Sequence, residues 1–252
     1  MPCLSSFQLL RVLDLENRVV LEYNYLKHID KLSHLRYLRL NSRRITALPE
    51  QIGELKNLQT LDLRWTRIQR LPERIVLLQR LTCLLVNSLE LPEGIIGNMQ
   101  ALRELSEIEI NCHTSVSSLL ELSSLTNLRI LGLNWCIIDT NYAMKTYTEN
   151  LVTSLCKSGM LNLRSIQIQS CHRCSLDFLQ DSWSPPPRHL PKFDMSIDYS
   201  FPRIPNWMES LDYLNYLDIY LSPVDEESFR TLGPWRPAES VISLDILKCS
   251  KA

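Results

Sequence analysis

A few short constellations in this chain carry residue types that could do chemistry. Cys171-His172-Arg173-Cys174 has the C-x-x-C spacing of a metal-ligand or redox pair. A structural zinc needs four ligands, and no second pair stands nearby to complete the set. Glu107 and Glu109 are two residues apart, so on a strand they would share a face with carboxylates roughly 7 Å apart, as an acid/base pair requires. Cys112-His113 and Cys171-His172 each set a thiol beside an imidazole, but only as sequence neighbours. His28, His34, His113, His172 and His189 are scattered and form no H-x-x-x-H ligand pair, and no G-x-S-x-G elbow occurs. These groups read as scaffold or as solvated surface. The expectation is a non-enzymatic chain with no catalytic residue, no metal site and no cofactor.

Composition narrows the partners. Hydrophobic residues make up 45% and charged residues 22% of the 252, as in a globular protein able to bury a sizeable core. A formal charge of −1 argues against a nucleic-acid partner, which would call for a basic excess. No apolar run approaches the roughly 20 residues of a membrane span, and the start, MPCLSSFQLLRVLDLE, lacks the basic and apolar regions of a secretion signal. The eight cysteines lie scattered, mostly within apolar runs, and none of the fourteen asparagines begins an N-x-[ST] site. Reduced thiols in a cytoplasmic protein are expected.

The elements that must position these residues are written in a repeat. The pattern L-x-x-L-x-L begins at Leu10, Leu35, Leu58, Leu81, Leu105, Leu128, Leu163, Leu190, Leu214 and Val241. Successive starts lie 23 to 27 residues apart, except for one step of 35. That is the period of a leucine-rich repeat. In the last four positions of each hexad the side chains alternate across a short strand, the fourth and sixth pointing inward and the third and fifth outward. One such strand cannot bury its apolar face alone, but a stack of neighbours makes a continuous core. Val20, Ile45, Ile68, Ile138 and Val224, five positions past the sixth, mark where the chain turns back. The ninth position is Thr66, Cys136, Cys171, Ser222 or Cys249 in half of the units, small side chains suited to hydrogen bonding in the turn. This reading accounts for Cys171 without a metal.

The expected fold is therefore α/β: a leucine-rich-repeat solenoid, a curved horseshoe with a parallel sheet on its concave face and irregular loops and short helices on its convex face. Residues 1–252 form a single domain of about ten repeats. Val116, Leu119, Leu120 and Leu122 suggest a short convex helix between Cys112 and Leu125. The long unit holds an insertion over residues 137–162. There Met144, Tyr147, Leu151 and Leu155 recur at helical spacing, with Asp139 or Thr140 as cap and Gly159 as stop. The spacing predicts an amphipathic helix covering the repeat core, with a partner-binding helix as the alternative. Trp183-Ser-Pro-Pro-Pro187 reads as a stiff crossover loop.

The runs FQLLRVLDLE, KLSHLRYLRL, ALPEQIGELKNLQTLDLRWTRIQRLPERI and NMQALRELSEIEI closely resemble the leucine-rich-repeat region of plant intracellular immune receptors. These are the nucleotide-binding, leucine-rich-repeat disease-resistance proteins, particularly the coiled-coil class of cereals. The resemblance extends over essentially the whole chain; LPKFDMS, FPRIPNWM and LDYLNYLDI also fit it. The family's phosphate loop, G-x-x-x-x-G-K-[ST], does not occur here, so nucleotide exchange is not assigned to these residues. Secreted receptor kinases carry related repeats reading N-x-L-x-G-x-I-P, whereas the turns here read Leu48-Pro49, Leu71-Pro72 and Leu91-Pro92 without the glycine. Neither end carries an evident polar capping unit. The expectation is a fragment of a larger receptor, lacking capping units and the nucleotide-binding module.

What the resemblance implies is a protein-binding module for pathogen-effector recognition, autoinhibition, or both in the defence response. Its partner would be an effector, a host protein or the receptor's own nucleotide-binding module. A signalling scaffold and a ubiquitin-ligase substrate receptor are the alternative classes. Candidate contact residues are the outward positions Tyr37, Arg39, Asp62, Arg64, Glu107, Glu109, Asn134, Gln167, Gln169, Asp218 and Tyr220, with Trp65 and Trp135 at strand ends. Both tryptophans occupy the eighth position of their units, where padding of the neighbouring turn is the other reading. Arg39→Glu with Arg64→Glu is expected to weaken a partner contact without lowering the melting temperature.

Overall fold

The computed structural model describes residues 7–15, 26–137, 142–157, 162–170, 174, 176, 178–181, 183, 186–187, 189–195, 199–221 and 241–246. Within them the hexads become the strands of one open, all-parallel sheet. These are β1 (Val12–Leu15), β2 (Tyr37–Leu40), β3 (Thr60–Asp62), β4 (Cys83–Glu90), β5 (Glu104–Asn111), β6 (Ile130–Cys136), β7 (Ser165–Ser170), β8 (Lys192–Asp194), β9 (Ser200–Phe201), β10 (Tyr216–Leu221) and β11 (Val241–Ile246). Each pairs with its neighbours in chain order from β1 to β8. β10 follows β8, β11 follows β10, and the two-residue β9 pairs with the far end of β10. This is the leucine-rich-repeat solenoid that the periodicity predicts.

Alternation does the rest. The burial of β2, β7 and β10 strictly alternates between half-exposed and buried, so every second side chain enters the core. Leu35, Leu38, Leu58, Leu61, Leu81, Leu84, Leu128, Leu131, Leu163 and Ile166 are essentially inaccessible and form one continuous core. One backbone device recurs along the stack. The carbonyl of the second hexad residue accepts two N–H groups from the next repeat: Arg36 O from Gln59 and Thr60, Gln59 O from Thr82 and Cys83. Arg129 O accepts likewise from Arg164 and Ser165.

This device corrects the fifth unit. Thr82 O accepts from Arg103 and Glu104, so that hexad begins at Leu102, three residues before Leu105. Leu105 pairs with Leu84 and Leu131, as a fourth-position residue should. The register then shifts, and Ile108 falls opposite Leu133, which leaves Ser106 and Glu107 facing the single residue Gly132. That is a β-bulge. A Cβ on Gly132 would lie 2.7 Å from the Glu107 nitrogen, so only glycine lets the bulged backbone approach.

Behind the sheet the chain returns through short 3-10 turns, among them Glu50–Glu54, Glu73–Leu77 and Asn206–Ser210. Each of these three follows a proline in extended conformation (Pro49, Pro72 or Pro205) whose carbonyl accepts the N–H three residues on. The fixed φ of proline presets the entry while the preceding Leu48 or Leu71 is buried. Asn57, Asn127 and Asn162, each just before a hexad, donate side-chain N–H groups to carbonyls of the preceding repeat at 2.9 to 3.1 Å.

The expected convex helix is α1 (Val116–Glu121), capped by Ser115, whose side chain accepts the Ser118 N–H. The insertion carries α2 (Tyr142–Cys156). Leu151 and Leu155 enter the core, Tyr147 packs against it, and the Ser154 hydroxyl donates to the Leu119 carbonyl of α1 at 2.6 Å. The helix thus covers the repeats. Its expected cap and stop lie outside the described residues, as do Cys171, His172, Val20, Ile138, Val224, Ser222 and Cys249. Trp183, Pro186 and Pro187 of the crossover are buried.

Candidate protein-binding surface

The strand register arranges the outward side chains into rows running across the repeats. One row passes through Asp14, Arg39, Asp62 and Leu85; farther along it passes through Gly132, Gln167, Asp194 and Asp218. A second carries Glu109, Asn134 and Gln169 on consecutive strands. Tyr220 stands beside Ser200 near the other end. Gln167, Gln169, Asn134, Glu109, Asp218 and Tyr220 are half-exposed. Tyr37, Arg39 and Glu107 are half-exposed as well, and Arg64 is exposed.

Asp62 corrects the expectation. It points outward, yet its side chain has no solvent exposure because arginines close over it. Arg64 donates through Nε to Oδ1 at 3.0 Å and through Nη2 to Oδ2 at 2.7 Å, a bidentate fork. Its backbone N–H adds a third bond at 3.1 Å. Arg39 Nε lies 3.7 Å from Asp62 Oδ2, and Arg39 Nη1 reaches Asp14 Oδ2 at 3.5 Å. The Asp62 hydrogen bond raises the pKa of Arg64 above its ordinary value. Burial, with Asp62 and Asp14, raises that of Tyr37. This end of the row is an ionic lock across three repeats. Arg39→Glu with Arg64→Glu would strip a buried carboxylate of both cations, so this geometry predicts a lowered melting temperature in place of an unchanged one.

The two tryptophans part company. Trp135 is fully buried, its ring 5.0 Å from that of Phe178, and it leaves the candidate surface for the core. Trp65 is 56% exposed and adopts φ 67°, in the left-handed region. Its N–H donates to Asn87 Oδ1 at 3.0 Å, while Asn87 Nδ2 donates to the Glu107 carboxylate. Glu107 itself sits on the bulge with φ 49°. Glu109 accepts from Asn111 at 3.0 Å, so the two glutamates serve separate local networks.

Several residues of this face were missed. Asp194, between Gln167 and Asp218 in its row, is nearly buried and takes Lys192 Nζ at 3.3 Å. Lys192 Nζ also lies 4.4 Å over the Tyr216 ring, and the Tyr216 hydroxyl donates to Asp218 at 3.4 Å. Loss of hydration, then Asp218 and Asp194, raises the Tyr216 pKa. Reading the third and fifth position of every hexad would have found all of these, and Asp14 too. Among the described residues no group of His, Cys, Asp and Glu is arranged to hold a metal ion, and no helix is long and apolar enough to cross a membrane.

Residues 1–244 match the family model described as leucine-rich repeat region, and the chain belongs to that family. Over 169 residues it is 34% identical to disease resistance protein RGA5 of Oryza sativa subsp. japonica. That match takes in 66% of this chain but 15% of RGA5. Among solved structures, a leucine-rich-repeat protein of Leptospira interrogans superposes with a TM-score of 0.61 at 19% identity, over 96% of this chain and 63% of that one. At that identity the likeness concerns the fold alone.

Proposed function

We propose that this member of the leucine-rich-repeat region family is the non-enzymatic protein-binding part of a larger plant immune receptor that works in the cytoplasm. It would act in the defence response by recognising a pathogen effector, by holding the receptor at rest, or both. The observation that carries the reading is the contrast between the two sides of each strand. The inward residues are nearly uniform aliphatics, whereas the outward row Glu109, Asn134, Gln169 varies in charge and hydrogen-bonding type while keeping one geometry. A rigid scaffold with variable polar positions suits selective recognition of a protein surface. The similarity to a disease resistance protein supports the biological setting.

The test is interferometry with the immobilised chain against secreted proteins of cereal pathogens and nucleotide-binding modules of cereal resistance receptors. Saturable binding that is lost in a folded Glu109→Lys, Gln169→Lys variant supports the reading. No saturable binding across both sets, or binding indifferent to that reversal, overturns it.

A further inference from the structure

Three non-glycine residues adopt left-handed backbone among the described residues: Trp65, Ser88 and Glu107, with φ 67°, 54° and 49°. They lie on three successive repeats. Left-handed geometry costs an ordinary residue about 1 kcal/mol or more, and Asn87 fastens two of the three by bonding the Trp65 N–H and the Glu107 carboxylate. The consequence is visible at Trp65. At the same repeat position Trp135 is wholly buried, whereas Trp65 is turned outward and lies on the wall of a cleft of about 610 Å³.

The cleft lies just past the C-terminal ends of β2 and β3 and reaches Asn87 and Ser88 in the C-terminal half of β4. Trp65, Arg67 and Gln69 line it together with Arg43, Asn87 and Ser88. None of its nine described lining residues is acidic. The arginines nearby differ in their commitments. Arg64 is bound to Asp62 and Arg70 to Glu90 at 2.9 Å. Arg43 and Arg67 are exposed and make no ion pair with any described carboxylate. Two uncommitted guanidinium groups thus flank an exposed indole on a fastened backbone. Three strands about 4.8 Å apart span roughly 10 Å, the length of about three extended residues.

We propose that this cleft binds an acidic segment of a partner protein, with the two arginines taking carboxylates and Trp65 taking an apolar side chain between them. Arg and Trp are the types that carry interface energy, and unpaired charge at the rim selects a partner of opposite sign. The proposal rests on the protein-binding reading above and assigns it a second surface with its own partner chemistry. Single-stranded nucleic acid, which would also stack on an indole, is the competing occupant. The chain's net charge of −1 disfavours it.

The experiment is fluorescence anisotropy with a short fluorescein-labelled peptide of alternating aspartate and glutamate around one phenylalanine. A lysine counterpart and an oligothymidylate of equal length serve as comparisons. The acidic peptide should bind saturably, and more weakly as salt rises. Arg43→Gln with Arg67→Gln, and separately Trp65→Ala, should each weaken it by roughly tenfold or more, with Lys145→Ala unchanged and all melting temperatures retained. No binding of the acidic peptide, equal binding of the oligonucleotide, or indifference to the arginine pair overturns the proposal. If the Glu109 and Gln169 reversal abolishes protein binding while the acidic peptide never binds, only this inference fails. Acidic-peptide binding without any sheet-face partner sinks the wider reading instead.

Discussion

The Asp62 carboxylate lies inside the fork of the Arg64 guanidinium, both oxygens engaged and no part of its side chain open to solvent. A charge that outward alternation places on a recognition surface is in fact sealed beneath its own partner. Asp62→Asn keeps the shape but removes the charge that Arg64 and Arg39 both face. It should lower stability by roughly 1–3 kcal/mol, nearer the lower end because Arg64 remains 44% exposed. Arg39→Glu with Arg64→Glu should cost more, since it gathers four carboxylates, Asp14 and Asp62 among them. Urea titration measures both; a change for Asp62→Asn below about 0.5 kcal/mol would mark the pair as an ordinary surface bridge.

Trp135 and Trp65 should respond oppositely to truncation. Trp135→Ala opens a cavity beside Phe178 and should cost about 3–5 kcal/mol, whereas Trp65→Ala should stay within roughly 0.5 kcal/mol of the parent. Equal losses in thermal melts of the two variants would contradict the burial difference.

Gly132→Ala places a methyl group 2.7 Å from the Glu107 nitrogen and 3.2 Å from the Ser106 Cα. Backbone cannot rotate away as a side-chain tip can, so the bulge or the β5–β6 register must shift. A loss of about 1–3 kcal/mol is expected, with faster amide hydrogen exchange in β5 and β6. A neutral result would show that the bulge moves freely.

Tyr37 titrates against its surroundings. Burial, then Asp62 and Asp14, raise its pKa above the ordinary value of about 10, although Arg39 and Arg64 pull the other way. The folded state therefore holds the phenolic proton more tightly than the unfolded chain. The resulting stabilisation is fully present below about pH 10 and lost as pH rises through the folded value. The stability difference between the parent and Tyr37→Phe should be constant from pH 8 to about 10 and then shift against the parent. A parallel decline of both proteins above that pH would remove Tyr37 from the account.

Much of the solenoid is legible from the chain because its rule is local. An inward leucine at the fourth and sixth position and a turn after the strand repeat every two dozen residues, and stacking then follows from the need to bury each strand's apolar side. The hexad template also fixed which side chains face outward, Asp62 included. It failed at Leu102, Leu105 and Ile108, since Leu105 meets the pattern in full whereas a start at Leu102 puts Glu107 in the sixth place, the bulge having moved the inward side chain on to Ile108. A bulge leaves no mark in a one-dimensional motif; only the pairing of Leu105 with Leu84 and Leu131 reveals it.

What the sequence determined by itself was the direction of the hexad side chains outside the β5 bulge, set by backbone alternation within a few residues. Only the tertiary structure decided which outward groups reach solvent, because that depends on residues one repeat away. Arg39, from the preceding strand, helps to seal Asp62; Phe178 packs against Trp135; and Asn87 holds the Trp65 backbone in the turn that exposes its ring. Orientation is a property of the strand, whereas accessibility is a property of its neighbours.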